Sequence, residues 1–148
     1  MPVSPEIWTG DVPVLADTSA WIAARRIRPA RERLLAAVER GDIAWCWPVR
    51  YELTVDARDS HAIGTLDRTL EGLREIRVDW SIQQQVLALM RDLARRGGHG
   101  AHRLPLADLT VAVAAQTSGL DVVHFDRHFE RLGELLSLRA WWLADPAA

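Results

Sequence analysis

Residues 106–129 read LADLTVAVAAQTSGLDVVHFDRHF, and this stretch decides the fold. Leu106, Leu109, Val111, Ala112, Val113, Ala114 and Ala115 place apolar groups nearly all round a helical wheel. A helix of that kind is covered by protein on most sides. Ser118-Gly119 ends it, with glycine at the left-handed stop position. Leu120, Val122 and Val123 then make a short buried strand, which the chain leaves at His124-Phe125-Asp126. Asp108 is therefore a carboxylate in the first turn of a greasy helix, and Asp126 lies where an inner strand ends. Two acids on two buried elements need a reason.

Working outward, Val12-Pro13-Val14-Leu15-Ala16 is a second apolar run, and it stops abruptly in Asp17-Thr18-Ser19. That is a strand followed by a helix start, with Thr18 or Ser19 as the cap. The helix carries Ala20-Trp21-Ile22-Ala23 and stops before Pro29. Another helix over about 29–40 ends at Gly41, and Ile43 to Trp47 form a strand. Pro48 opens a third helix, with Glu52 in its first turn. Ile63, Leu66, Leu70, Leu73 and Ile76 have helical spacing and predict one helix over 61–77. The next helix starts at Asp79-Trp80-Ser81 and stops at Gly97-Gly98, before a loop over 99–104. A short helix with Phe129, Leu132, Leu135 and Leu136 and an edge strand over 138–143 follow. On that strand Trp141 and Trp142 must face opposite ways. Residues 1–10 read as a loosely held leader.

Strands alternating with helices predict an α/β fold: a three-layer α/β/α sandwich around a short, mostly parallel sheet. The chain is expected to be one domain over 1–148, with its core at about 12–143. In such sheets the functional crevice lies beyond the carboxyl ends of the strands. Asp17 and Asp126 stand at such ends, and Glu52 and Asp108 begin helices on the same side. Four separate stretches thus deliver a carboxylate to one rim. Each also has a purely structural account. Asp17 and Asp126 can cap helices, and an acid in a first turn suits the helix dipole.

Composition narrows the class. With 49% hydrophobic and 26% charged residues, the chain is ordinary globular material. No window reaches the roughly 18 apolar residues that cross a bilayer, so no membrane contact is expected. No basic residue precedes Arg25, which argues against a secretory signal. A single cysteine, Cys46, permits no internal disulfide and no thiolate metal cluster. A cytoplasmic protein is the expectation. All 18 basic residues are arginine, which suits bidentate phosphate contacts better than lysine does. The seven tryptophans fit core and interface packing better than base stacking.

Four like charges at one rim raise each other's pKa and need a positive counterpart. Carboxylate oxygens without cysteine suit hard cations, Mg²⁺ or Mn²⁺. Such an ion can activate water and stabilise charge on a scissile phosphate. The substrate would then be a phosphodiester. Arg25, Arg26, Arg28, Arg103 and Arg127 are the candidates for holding its backbone, against the plainer account of solvated charge.

The four acid-bearing stretches resemble the PIN-domain ribonucleases, and most closely the VapC-type toxins of toxin–antitoxin pairs. The matching stretches begin with LADTSAW at 15–21 and PVRYEL at 48–53. LPLADLTVA at 104–112 and VVHFDRHF at 122–129 complete them. The likeness covers about 12–143, and the order and spacing of all four stretches are far more specific than any one. It implies Mg²⁺- or Mn²⁺-dependent endonucleolytic cleavage of RNA, a homodimer, and inhibition by a small cognate antitoxin. On that likeness Asp17, Glu52, Asp108 and Asp126 are the metal-binding catalytic acids, with Thr18 or Ser19 adding a hydroxyl. The helices at 30–40 and 47–76 would receive the antitoxin. One departure stands out: family members often carry a further acid two residues after the fourth, and here His128 takes its place. It reads as a surface histidine beside Arg127, with contact to phosphate or metal as the alternative.

Two other folds with acids or phosphate sites fit poorly. A receiver-type phosphotransfer domain needs a rim lysine, and this chain has no lysine. A dinucleotide-binding domain needs a glycine-rich loop after the first strand, which is absent. The rival that survives is a catalytically weakened module of the same fold that binds RNA or a partner.

Overall fold

The computed structural model describes residues 4–147. Its elements run β1 (Val14–Ala16), α1 (Thr18–Arg26), α2 (Arg28–Arg40), β2 (Ile43–Cys46), α3 (Trp47–Asp56) and α4 (Ser60–Glu71). They continue with β3 (Arg74–Ile76), α5 (Trp80–Arg96), α6 (Leu106–Thr117), β4 (Asp121–His124), α7 (Arg127–Leu135) and β5 (Ala140–Trp142). The strands form one sheet in the order β3-β2-β1-β4-β5, and every pairing is parallel.

Alternation along the strands divides the interior into two cores. Val14, Ala16, Ile43 and Val123 turn to α1 and α2, where Ala20, Ala24, Ala30, Leu34 and Ala37 cover them. Leu15, Ala44, Cys46 and Val122 turn the other way, onto residues of α3, α5, α6 and α7. This is the expected three-layer sandwich. α6 is buried along nearly its whole length, from Ala107 to Ala115. Gly119 follows it with φ of 67°, as a helix-ending glycine should.

Three sequence expectations fail here. The single helix over 61–77 is instead α4 followed by β3, a strand at the outer edge of the sheet. Gly72 ends the helix, and Ile76 keeps its apolar role as the only buried residue of a three-residue strand. The described part of the leader is not loose, while residues 1–3 of it lie outside the described residues. Trp8 is fully buried, its N–H donates to Trp142 O at 2.8 Å, and Trp142 N–H donates to Glu6 O at 2.9 Å. Residues 6–8 thus run along β5, held by a tryptophan whose indole N–H donates to Val12 O at 2.9 Å. Lastly, Glu52 lies in the second turn of α3 rather than the first, as the sixth residue of a helix that begins at Trp47, one residue before Pro48. Of the adjacent tryptophans on β5, Trp142 enters the core, while Trp141 is half-buried and donates to Asp121 at 2.9 Å.

Candidate active site

β1 and β4 are neighbours at the centre of the sheet, so the residues leaving their carboxyl ends meet. Asp17 follows β1 directly, and its N–H donates to Val123 O on β4 at 3.0 Å. Asp17 itself caps α1, with Oδ2 accepting from the Ser19 N–H at 3.2 Å. Thr18 and Ser19 are therefore not the cap. An extended Asp17 backbone lets its short carboxylate reach the amide two residues ahead.

The two hydroxyls work on the acids instead. Ser19 donates to Asp17 Oδ2 at 2.6 Å, and its oxygen accepts from the Phe125 N–H at 2.9 Å. One side chain thereby ties the end of β1 to the turn after β4. Thr18 donates to Glu52 Oε1 at 2.8 Å, linking α1 to α3. On the far side of β4, Asp126 caps α7 by accepting from the His128 N–H at 2.9 Å.

Asp108 points into this group from the first turn of α6 and is buried. The His128 ring faces both acids across the helix cap, as its reading as a metal ligand requires and the plainer reading as a surface histidine does not. Its Nδ1 lies 3.7 Å from Asp108 Oδ2 and 3.6 Å from Asp126 Oδ1. One ligand atom from each of Asp108, Asp126 and His128 lies within 4.8 Å of the others, close enough for a single cation to touch all three. Glu52 is exposed at the margin of the group.

Electrostatics mark the site as unfinished. Burial pushes the Asp108 carboxyl up to about 7, and the charges of Asp17 and Asp126 add to the rise. Glu52 contributes in the same sense, and His128 opposes it. Burial also raises Asp17, against the hydrogen bonds from Ser19. Asp17 Oδ1 and Asp108 Oδ2 are both buried with no hydrogen-bond partner. Buried acceptors left unpaired are costly, and here two belong to carboxylates that repel each other.

Cys46 lies near the acids at the end of β2, but burial holds its thiol up at about 12. It stays protonated and offers neither nucleophile nor ligand. His124 is the residue that sequence reasoning missed. It is fully buried at the end of β4, between Phe129 and Trp142, with its Nδ1 accepting from the Asp126 N–H at 3.1 Å. A lone histidine closing an apolar strand was the available signal.

The arginines divide. Arg25 is ion-paired with Asp56, about 12 Å along α1 from Asp17. Arg28 pairs with Glu32 inside its own helix. Arg26 lines a hollow beside Ser19 and Phe125. Arg127 is exposed at the first position of α7, and Arg103 lines a cavity that also contains His128.

Comparison with known proteins agrees with this geometry. The PIN domain family matches residues 14–135. Ribonuclease VapC18 of Mycobacterium tuberculosis is 33% identical over 127 residues, covering 86% of this chain and 92% of that protein. Ribonuclease VapC11 of the same species is 31% identical over 131 residues, covering 86% and 96%. Among solved structures, DNA-bound VapBC from Salmonella typhimurium superposes with a TM-score of 0.67 at 21% identity, covering 90% of this chain and 99% of that one. VapBC2 from Rickettsia felis, bound to a promoter DNA fragment, gives 0.66 at 17% identity, covering 87% and 97%. These two likenesses speak to the fold; the family match and the sequence relatives go further. With the four acid-bearing stretches in the family's order, the chain belongs to the PIN domain family, in its VapC branch.

Proposed function

We propose that the protein is a metal-dependent endoribonuclease, the toxin of a toxin–antitoxin pair, acting on RNA in the cytoplasm. The observation that carries this reading is the grouping of Asp108, Asp126 and His128 beyond the carboxyl edge of a parallel sheet, with the charges of Asp17 and Glu52 near enough to act on Asp108. Two of their oxygens are buried and unpaired. Hard oxygen donors in that number fit Mg²⁺ or Mn²⁺, with Asp17, Asp108 and Asp126 as ligands and Glu52 completing the charge. The bound ion supplies activation of water and neutralisation of charge on the scissile phosphate.

The chain's own residues prepare for it. Ser19 holds Asp17, and Thr18 holds Glu52, so neither carboxylate must be ordered on binding. Asp108 would hold a cation in its ionised form, so loading would couple to pH near neutrality. Arg103 and Arg127 are the phosphate contacts of this reading. Arg25 was a third, but its ion pair with Asp56 engages it elsewhere.

The partners in this reading are a small antitoxin and a second copy of the chain. The antitoxin is supported by the kinship with VapC proteins. The homodimer is supported by an apolar face where Trp47, Tyr51, Leu87 and Leu106 are exposed. Trp47, Leu87 and Leu106 also border a cavity of about 560 Å³ that no charged side chain lines. No helix among the described residues is long and apolar enough to cross a membrane.

The test is cleavage of a structured RNA by the purified protein. Activity should vanish in EDTA, return with Mg²⁺ or Mn²⁺, and be absent in Asp108→Asn. Cleavage by Asp108→Asn at the parent rate overturns the assignment. RNA binding without any metal-restored cleavage favours the weakened binding module.

A further inference from the structure

The acid cluster repels the polyanion it is proposed to cut, so the substrate needs cations close by. One cavity next to the site supplies them. It holds about 190 Å³ between the loop after α5 and helix α7, and Arg103, Arg131 and His128 form its polar wall. Leu104, Leu132 and Leu135 form an apolar floor, and no carboxylate lines it. His128 belongs to both places: the same ring that walls this cavity stands 3.7 Å from Asp108 and 3.6 Å from Asp126. The cavity and the acid cluster are therefore adjoining rooms with one shared wall.

Both arginines are available. Ion pairs on neighbouring elements use Arg95, Arg96 and Arg139 instead. Arg103 and Arg131 are exposed. Arg103 is set in place by a turn at Gly100, which has φ of 76° and accepts the Arg103 N–H at 3.0 Å. Arg131 projects from the second turn of α7, whose start is fixed by the Asp126 cap. Two guanidinium groups over an apolar floor match the two halves of a nucleotide: phosphate at the mouth, sugar or base below.

We propose that this cavity is a nucleotide subsite, in which Arg103 and Arg131 hold the phosphate next to the scissile one. It rests on the nuclease reading and deepens it by naming where the flanking RNA lies. Arg131 is a positioning residue in this account, as Arg103 is.

The experiment compares the full-length parent with Arg103→Ala/Arg131→Ala and with Arg74→Ala/Arg77→Ala, which removes the same charge at the β3 edge. Binding of a short single-stranded RNA is measured by fluorescence anisotropy across a salt series in a cleavage-silent Asp108→Asn background. Cleavage is measured without that background change. The cavity variant should bind several-fold more weakly, raise KM by a similar factor and leave kcat within about twofold. Its slope of log affinity against log salt should fall by about 0.7, the value for one single-strand phosphate contact. The control pair should leave that slope unchanged. Equal losses in both variants, or an unchanged slope in the cavity variant, overturn the subsite. So does oligoglutamate displacing the RNA better than unlabelled RNA of equal charge, which assigns the cavity to a protein segment. A parent protein that shows no metal-restored cleavage overturns the nuclease reading itself, and is seen separately.

Discussion

The imidazole Nδ1 of His124 accepts the backbone N–H of Asp126 at 3.1 Å. The proton of this buried ring must then sit on Nε2, which has no partner of its own. His124 thus fixes the residue whose carboxylate caps α7 and faces the acid cluster. Burial lowers its pKa to about 4, below the unfolded value near 6.5. The neutral ring therefore contributes stability that is complete above about pH 6.5 and is lost as pH falls toward 4. His124→Ala should destabilise the fold by about 2–4 kcal/mol, through a cavity and an orphaned amide. Urea denaturation near pH 7 checks this, and cleavage should fall with it.

Asp108 behaves with the opposite sign. Its folded pKa near 7 exceeds the ordinary carboxylate value, so metal-free protein is favoured at low pH and loses stability as pH rises from about 4 through 7. Asp108→Asn should remove that loss and stabilise metal-free protein at pH 8 by on the order of 2 kcal/mol. In EDTA the variant should lose only the part owed to Asp108 and keep the opposing dependences of His124 and Asp17. A parent and variant with the same stability-against-pH curve would contradict this account of Asp108.

Added cation should relieve the same repulsion. At a hundred times its Kd, Mn²⁺ or Mg²⁺ should stabilise the folded protein by about 2.7 kcal/mol. Asp17→Asn/Asp108→Asn should melt at one temperature with or without the ion. Thermal unfolding in EDTA and in added metal reads both, independently of any RNA.

Ser19 joins two strand ends with one hydroxyl. Ser19→Ala leaves Asp17 Oδ2 with a backbone donor only and leaves the Phe125 N–H unpaired. A cost of about 1–3 kcal/mol is expected, together with weaker metal loading. Thr18→Val should cost less, because its partner Glu52 is exposed and can turn to water. Denaturation curves and metal titrations of the two variants should rank in that order.

Trp8 tests the leader. Trp8→Ala should destabilise the protein by about 3–5 kcal/mol, the range for an emptied tryptophan site. A loosely attached segment would tolerate the change, so an unaltered denaturation midpoint would restore the sequence-based view of residues 1–10.

What the sequence revealed followed burial. α6 was legible because apolar residues encircle it, and Asp108 stood out against them. β1 and β4 were legible as apolar runs ended by acids. β3 was hidden because three residues, two of them exposed, carry no period of two, and Ile76 continued the spacing of the preceding helix. The leader was misread because pairing with β5 depends on backbone groups and on one tryptophan, neither of which makes a pattern. In the site, four acids could be named one by one, but the facing of His128 and the partner of Arg25 depend on where helices pack. Arg131 carried no mark in the sequence at all.

The adjacency of β1 and β4 has a temporal consequence. Partners in the middle of the sheet are more than a hundred residues apart in the chain, with Val14 beside Asp121. Until the ribosome has extruded the later strand, the earlier one lacks its neighbour, and the acids have no common pocket. A nascent chain therefore has no assembled acid cluster until β4 has left the ribosome, so whatever that cluster does begins only once synthesis has passed His124.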